Sequence, residues 1–114
     1  MKLYDFVSKI EIDPAKLTTY ALNRNHIKGK HKAIVFEAAL GFTADNYQAL
    51  LRQIIEKALG ETAVIQKTDQ YGQHLRVDIL VQGTAKQEAI IRTGWRIAPQ
   101  SETAVLSTLY VLGE

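Results

Sequence analysis

The residues best suited to chemistry lie in one short basic stretch near the end of the first quarter of the chain. Residues 24–32 contain four of the 14 basic residues and no acid, which leaves 10 bases against 12 acids elsewhere. The stretch holds Arg24, Lys28, Lys30 and Lys32, interleaved with His26 and His31. Positive charge concentrated in this way is typical of a surface that binds phosphate groups. A solvated helix start is the structural alternative.

The same stretch has the residue types that cleave a phosphodiester without a metal. Histidine can act as base or acid near neutral pH, and lysine can stabilise developing negative charge. Gly29 would let the backbone turn closely around a phosphate just before a helix N-terminus. His26 and His31 are five residues apart across that glycine, so their relative geometry does not follow from the sequence. A surface or capping role stays open for each.

A second charged set is predicted on two neighbouring strands. Strict alternation places His74, Arg76 and Asp78 on one face, beside Arg92 and Arg96 of the next strand. An ion pair between Asp78 and an arginine would be structural. The alternative is a basic sheet surface that holds an RNA backbone.

The opposite face of the second of these strands is apolar and carries Thr93 and Trp95. Trp95 is expected in the core rather than as a platform for stacking bases. Ser107 or Thr108 of the last strand, depending on its register, is expected on the same face. Hydroxyls there would satisfy the backbone or, in a cleft between helices and sheet, orient a phosphate.

Helical signals occupy residues 13–60. Asp13 as N-cap and Pro14 as first residue predict a helix over roughly 14–22. A second helix, about 30–40, ends at Gly41. A third follows Thr43 as N-cap, carries apolar residues at three-and-four spacing, and stops at Gly60.

After residue 60 the period changes to two, and strands are predicted at about 63–68, 74–81, 88–97 and 103–112. Residues 3–12 alternate imperfectly and fit a short strand or an extended arm. Short connections make neighbouring strands antiparallel. The expected fold is therefore α+β, with N-terminal helices packed on one face of a four-stranded antiparallel sheet, in a single domain of residues 1–114.

Several classes of protein are excluded or disfavoured by the sequence. It has no cysteine, so disulfides, thiolate metal sites and cysteine nucleophiles are excluded. It has no P-loop, G-x-G-x-x-G or H-E-x-x-H motif. No apolar run approaches the roughly 18 residues that cross a membrane, and the N-terminus is too mixed in charge for a secretory signal. We therefore expect a cytoplasmic protein with no metal, no other cofactor and no membrane partner.

Several short runs resemble a known domain family in their order and spacing. They are KLTTYALN at 16–23, HIKG at 26–29, KA at 32–33, Phe36, LGF at 40–42, YG at 71–72, Asp78 and RTGW at 92–95. This layout resembles an uncharacterised bacterial domain family found at the C-termini of polymorphic toxins and as a stand-alone protein beside a small antitoxin-like partner. The resemblance covers roughly residues 16–112 and includes a pattern H-x-x-G-x-x-K-A-x-x-F that begins at His26. The chain departs from it at 103–106, where TAVL replaces a Pro-Arg-Leu run.

The resemblance implies a fold and an activity. Such domains are similar in layout to the superfold shared by barnase, EndoU and RelE-like ribonucleases, in which RNA is cleaved without metal in a cleft between helices and sheet. By this resemblance the 2′-OH would attack the adjacent phosphate with His26 as base. Lys32 and Arg92 would stabilise the transition state, while His31 or Tyr110 would assist the leaving group.

The sequence-based hypothesis is thus a toxin-type endoribonuclease with RNA as substrate and a small antitoxin or immunity protein as partner. The candidate catalytic residues are His26, His31, Lys32, Arg92, Thr93 and Tyr110. The candidate RNA-contacting residues are Arg24, Lys28, Lys30, Arg76 and Arg96. A non-enzymatic module that binds RNA or protein, and an immunity component that binds an acidic toxin, are the alternatives.

Overall fold

The first half of the chain forms two α-helices and shorter helical segments. The computed structural model describes residues 1–27 and 30–112. The α-helices are α1, Lys30–Leu40, and α2, Tyr47–Lys57. Single 3₁₀ turns occupy Leu3–Asp5 and Ala58–Gly60, and a π-helical segment occupies Lys16–Ala21.

The ends of α1 agree with the prediction, whereas the start of α2 does not. Gly41 follows α1 with φ of +77°, and its N–H donates to the Glu37 carbonyl at 2.9 Å. This is the left-handed cap that glycine favours. Thr43 does not cap α2, because its hydroxyl accepts the Asp45 N–H at 3.2 Å and its N–H donates to the Asn46 side chain at 2.7 Å, both within a turn that precedes the helix. Helix α2 therefore begins at Tyr47, four residues beyond the predicted cap.

The second half of the chain forms most of a five-stranded sheet. The strands are β1, Lys9–Glu11; β2, Ala63–Asp69; β3, Gly72–Gln82; β4, Glu88–Ile97; and β5, Thr103–Val111. Their order is β1-β5-β4-β3-β2, and β2 to β5 form an antiparallel meander.

The predicted four-stranded antiparallel sheet is wrong in one respect. Strand β1 adds a fifth strand at the edge, parallel to β5, with Lys9 opposite Thr103. A three-residue strand is too short to show a clear alternation. Its partner lies more than 90 residues away along the chain, which local patterns do not report.

The core lies against one face of the sheet. Val77, Ile79 and Ile91 are fully buried on that face and belong to the same apolar cluster as Phe36 of α1 and Ile54 of α2. The alternation that predicted the faces of β3 and β4 is confirmed by the burial of every second residue. Within the described part of the chain, no helix is long and apolar enough to cross a membrane.

An irregularity in β5 opens the edge of the sheet. Gly94 of β4 lies opposite Thr108, but the next residue, Trp95, lies opposite Leu106, so Ser107 is an extra residue in β5. Strand β1 pairs only with 103–105 and ends before this bulge. Strand β5 is also contacted by the π-helical segment and by α1, and Lys32 of α1 donates a hydrogen bond to Thr108 beside the bulge. Three separate parts of the chain therefore meet around the bulge.

Candidate functional site

A cavity of about 540 Å³ lies between the π-helical segment and the bulge of β5, and we call it the edge cavity. Its lining residues are Asp13, Ala15, Lys16, Thr19, Tyr20, His26, Ser107 and Thr108. A β-bulge re-aims side chains, and π-helical segments occur frequently at functional sites. The cavity thus forms where two departures from regular structure meet.

Lys32 of α1 extends over the boundary of this cavity. Its Nζ donates to Thr108 Oγ1 at 3.1 Å and lies 5.0 Å from the ring centroid of Tyr20 and 5.5 Å from that of Tyr110. Both rings attract the ammonium through their π-electrons. The ion pairs found among residues 1–27 and 30–112 do not include Lys32. Its positive charge is therefore positioned by neutral groups and can still attract an anion.

His26 reaches the same cavity from the loop before α1. Its ring packs edge-to-face on Tyr20, with centroids 4.8 Å apart and an interplanar angle of 73°. Its backbone is held on both sides, because its N–H donates to the Asn23 carbonyl and its carbonyl accepts from the Lys30 N–H. Tyr20 thus contacts both His26 and Lys32, which brings an imidazole and an ammonium group to one aromatic ring.

The two other candidates for proton transfer line a second cavity. This cavity measures about 330 Å³ and is lined by His31, Lys32, Val35, Tyr110 and Val111. His31 and Tyr110 therefore share a cavity with Lys32, whereas His26 lines the edge cavity. Lys32 is the link between the two groups, since it contacts residues that line each cavity.

Arg92 lies beside Tyr110 on the open face of the sheet but is engaged by an acid. Its Nε and one terminal nitrogen donate to the two Asp78 carboxylate oxygens at 2.9 and 3.1 Å. This bidentate pair holds the pKa of Asp78 below its ordinary value. The pKa of Arg92 is raised, first by Asp78 and then by its cross-strand neighbour Tyr110. The structural ion pair left open by the strand pattern is therefore present, and it compensates the charge of Arg92.

Thr93 does not belong to the site. Its side chain is fully buried on the core face of β4, where the hydroxyl donates to the Val77 carbonyl at 2.6 Å and accepts from Trp95 Nε1 at 2.8 Å. A hydroxyl that both donates and accepts a hydrogen bond inside the core cannot contact a phosphate. We therefore correct the assignment of Thr93 as a candidate catalytic residue. Trp95 is 1% exposed, which confirms its prediction as a core residue.

The candidate RNA-contacting residues that the structure describes do not form one patch around the edge cavity. Arg24 pairs with Glu37 at 3.2 Å and lines a different cavity with Thr43. Lys30 is exposed at the first residue of α1. Lys28 and Gly29 lie outside the described residues.

The other two candidate RNA-contacting residues, Arg76 and Arg96, lie on the open face of the sheet. Arg76 lies opposite Gly94, two residues along the strands from the Asp78–Arg92 pair, and Arg96 donates to the Tyr71 carbonyl at 3.3 Å. Both are half-buried. They could contact RNA only if it ran across the sheet from β5 towards β3.

The position of Tyr20 at the site does not follow from the sequence, and the predicted facing of the β5 hydroxyls is wrong. A π-helical turn contains more residues than an α-helical turn, so the facing of Tyr20 cannot be read from a period of 3.6. The bulge in β5 leaves Leu106 and Leu109 in the core and turns both Ser107 and Thr108 towards the edge cavity. The pattern predicted one of these hydroxyls on the core face, and it contained no signal for an extra residue.

The comparison with protein families gives a match along nearly the whole chain. Residues 2–113 match a family model described as a domain of unknown function, DUF6883. No curated protein and no solved structure matches the chain. The chain belongs to the DUF6883 family of domains of unknown function.

Proposed function

We propose that this chain is a toxin-type endoribonuclease that cleaves RNA by transesterification without a metal. The observation that carries the proposal is the contact of His26 and Lys32 with one ring, that of Tyr20, at the edge cavity. A base and a cation held together at a cavity are the minimum set for moving the 2′-OH proton and stabilising the charged phosphorane. The resemblance to toxin-associated domains supports the same activity.

The proposed reaction uses the chain's own side chains. Neutral His26 accepts the proton of the ribose 2′-OH, and the oxygen attacks the adjacent phosphorus. The bond from phosphorus to the 5′-oxygen breaks, and His31 or Tyr110 donates a proton to that oxygen. The products are a 2′,3′-cyclic phosphate and a 5′-hydroxyl. Lys32, oriented by the Thr108 hydroxyl, stabilises the negative charge that builds up on the phosphate oxygens.

Arg92 has a positioning role in this proposal. Its guanidinium is taken up by Asp78 and lies opposite Tyr110 in the β4–β5 pair, and the Tyr110 ring in turn faces the Lys32 ammonium. By holding Tyr110 in place, Arg92 affects the reaction indirectly, through the position of Tyr110. This differs from the direct contact with phosphate that the family resemblance implies for Arg92.

The biological setting belongs to the same proposal. An RNA-cleaving toxin acts in the cytoplasm and needs a small antitoxin or immunity protein to restrain it. An acidic segment of such a partner would complement Lys32 together with the exposed residues Lys16 and Lys30. Binding there would close the entrance that RNA uses.

The test is incubation of purified protein with total RNA in EDTA. We compare the wild type with His26→Ala and with His74→Ala, a matched control whose ring pairs with Asp69 away from the edge cavity. The wild type and the control should cleave and leave cyclic phosphate ends, while His26→Ala should be slower by at least roughly 100-fold.

Equal cleavage by His26→Ala would reject the assignment of the base. Loss of cleavage in EDTA for every variant would reject the metal-free mechanism. Salt-sensitive RNA binding without any product would instead favour the non-enzymatic binding module.

A further inference from the structure

The edge cavity contains a negatively charged group, whereas the neighbouring Lys32 is positively charged. Among the described residues that line it, Asp13 is the one acid and Lys16 is the one residue with a permanent positive charge. Most of the other lining groups are uncharged hydroxyls. A carboxylate repels phosphate, so this cavity suits an uncharged polar group rather than another phosphate of the RNA.

The Asp13 carboxylate has a defined orientation. One of its oxygens, Oδ1, accepts the Ala15 N–H at 3.0 Å in a turn before the π-helical segment. Asp13 is exposed, so its charge carries little desolvation cost. A carboxylate can accept several hydrogen bonds, and this one retains free acceptor sites for a ligand.

A carboxylate discriminates among the four bases by the donors on their Watson–Crick edges. Guanine presents two adjacent donors, N1–H and the N2 amino group, with the O6 acceptor beside them. Adenine and cytosine present one amino donor next to an acceptor nitrogen, and uracil presents one N–H between two carbonyls. Each of these three would set an acceptor against a carboxylate oxygen. Lys16 complements guanine further, because its ammonium can donate to O6.

The cavity is also adjacent to the proposed cleavage position. Thr108 lines the edge cavity and accepts the hydrogen bond from Lys32 at 3.1 Å. The ring of Tyr20 lines the cavity too and contributes apolar surface to its wall. A base in the cavity would therefore belong to a nucleotide that flanks the scissile phosphate.

We propose that the edge cavity binds a guanine base next to the scissile phosphate, with Asp13 accepting hydrogen bonds from N1–H and N2–H. The substrate class, which rests on the proposed function, is RNA with guanosine at the cut. Tyr20 and Thr108 border both the guanine site and the cleavage position, but Asp13, which selects the base, takes no part in the cleavage chemistry. The base preference and the cleavage can therefore each fail without the other.

The first experiment measures binding without catalysis. Guanosine, adenosine, cytidine and uridine are each titrated into the purified chain, and binding is followed by calorimetry or by NMR shifts. Guanosine should bind at least ~10-fold more tightly than the others, as expected for a bidentate contact. Asp13→Asn should remove this preference, because the amide replaces one acceptor with a donor. It should still fold, since the remaining oxygen can accept the Ala15 N–H.

Glu11→Gln is the matched control, since it makes the same chemical change on β1 at a residue that does not line the cavity. It should leave the guanosine preference intact. Equal binding of the four nucleosides, or a preference that survives in Asp13→Asn, would overturn the guanine site.

The second experiment identifies the base at the cut by sequencing the ends of RNA cleaved by the wild type and by Asp13→Asn. Enrichment of guanine in the wild type alone supports the site. Cleavage beside all four bases equally overturns the guanine site while leaving the nuclease proposal standing. Guanosine binding that depends on Asp13, without cleavage of RNA, supports the guanine site and overturns the nuclease proposal.

Discussion

Lys32 and Arg92 lie on either side of Tyr110 and carry the same charge, but their surroundings are opposite. Arg92 gives two hydrogen bonds to Asp78, whereas Lys32 donates to the Thr108 hydroxyl and faces two aromatic rings. A charge paired with a carboxylate has little attraction left for an incoming anion. A charge held by neutral groups keeps that attraction. The edge of β5 is thus suited to binding and chemistry, and the β3–β4 pair to stability.

The difference follows from where each residue lies in the fold. Arg92 has a direct cross-strand neighbour, Asp78, in a regular antiparallel register, so its partner is set by the strand pairing. Lys32 projects from α1 towards a bulged strand whose neighbouring residues are hydroxyls and tyrosines. Regular strand pairing gives Arg92 a carboxylate partner, whereas the irregular edge of the sheet leaves the charge of Lys32 available to attract an anion.

The largest expected effect is on cleavage at Lys32. Lys32→Met keeps the apolar stem between the two rings and removes the charge, so RNA cleavage should fall by at least ~100-fold. The midpoint of thermal unfolding should change little. Lys9→Met, an exposed lysine of β1, makes the same charge change away from both cavities and should cleave normally. Undiminished cleavage by Lys32→Met would remove the contrast between the two regions.

The next effect is on stability at Thr93, on the core face beneath the ion pair. Thr93→Val keeps the shape but leaves Trp95 Nε1–H without its buried partner, which should lower the free energy of unfolding by about 1–3 kcal/mol. Thr93→Ser keeps the hydroxyl and should lose less. Urea denaturation measures both. Cleavage per folded molecule should be unchanged, and its loss in folded Thr93→Val would return this residue to the site.

A smaller effect is expected from the ion pair itself. Arg92→Gln and Asp78→Asn should each lower the midpoint of thermal unfolding, and the double variant should lose less than the sum, because the partners stabilise each other. Arg92→Gln should reduce cleavage only partly, since Tyr110 loses its cross-strand cation while Lys32 stays in place. Cleavage as low as in Lys32→Met would indicate that Arg92 contacts the phosphate directly.

The smallest effect concerns pH. Arg92 lowers the pKa of Asp78 in the folded chain below the ordinary 3.8. The resulting stabilisation is fully present above the unfolded pKa and is lost as the pH falls through the folded one. The stability difference between wild type and Asp78→Asn should thus be constant at about pH 5 to 8 and shrink below roughly pH 4. Denaturation series at several pH values test this, and a difference that grows in acid would contradict the pairing.

Part of the fold and part of the site were predictable from local patterns. The faces of β3 and β4 follow from strict alternation, so Asp78 and Arg92 were placed together and Trp95 was placed in the core. The limits of α1 follow from a glycine at its end. By contrast, Thr43 is not the N-cap of α2, because its hydroxyl and its N–H are both used in a local turn with Asp45 and Asn46. The prediction of Thr93 on the apolar face is confirmed, but the hydrogen bonds of its hydroxyl with the Val77 carbonyl and Trp95 Nε1 depend on the register between strands.

The residues alone establish an α+β chain with a basic stretch that contains histidine and lysine, because composition and periodicity are local properties. The meeting of His26, Tyr20 and Lys32 is not local. It depends on a π-helical turn, on an extra residue in β5, and on a three-residue strand that stops where the bulge begins. Each of these is stabilised by contacts between distant parts of the chain. For that reason only packing distinguishes the lysine whose charge is available from the arginine whose charge is compensated.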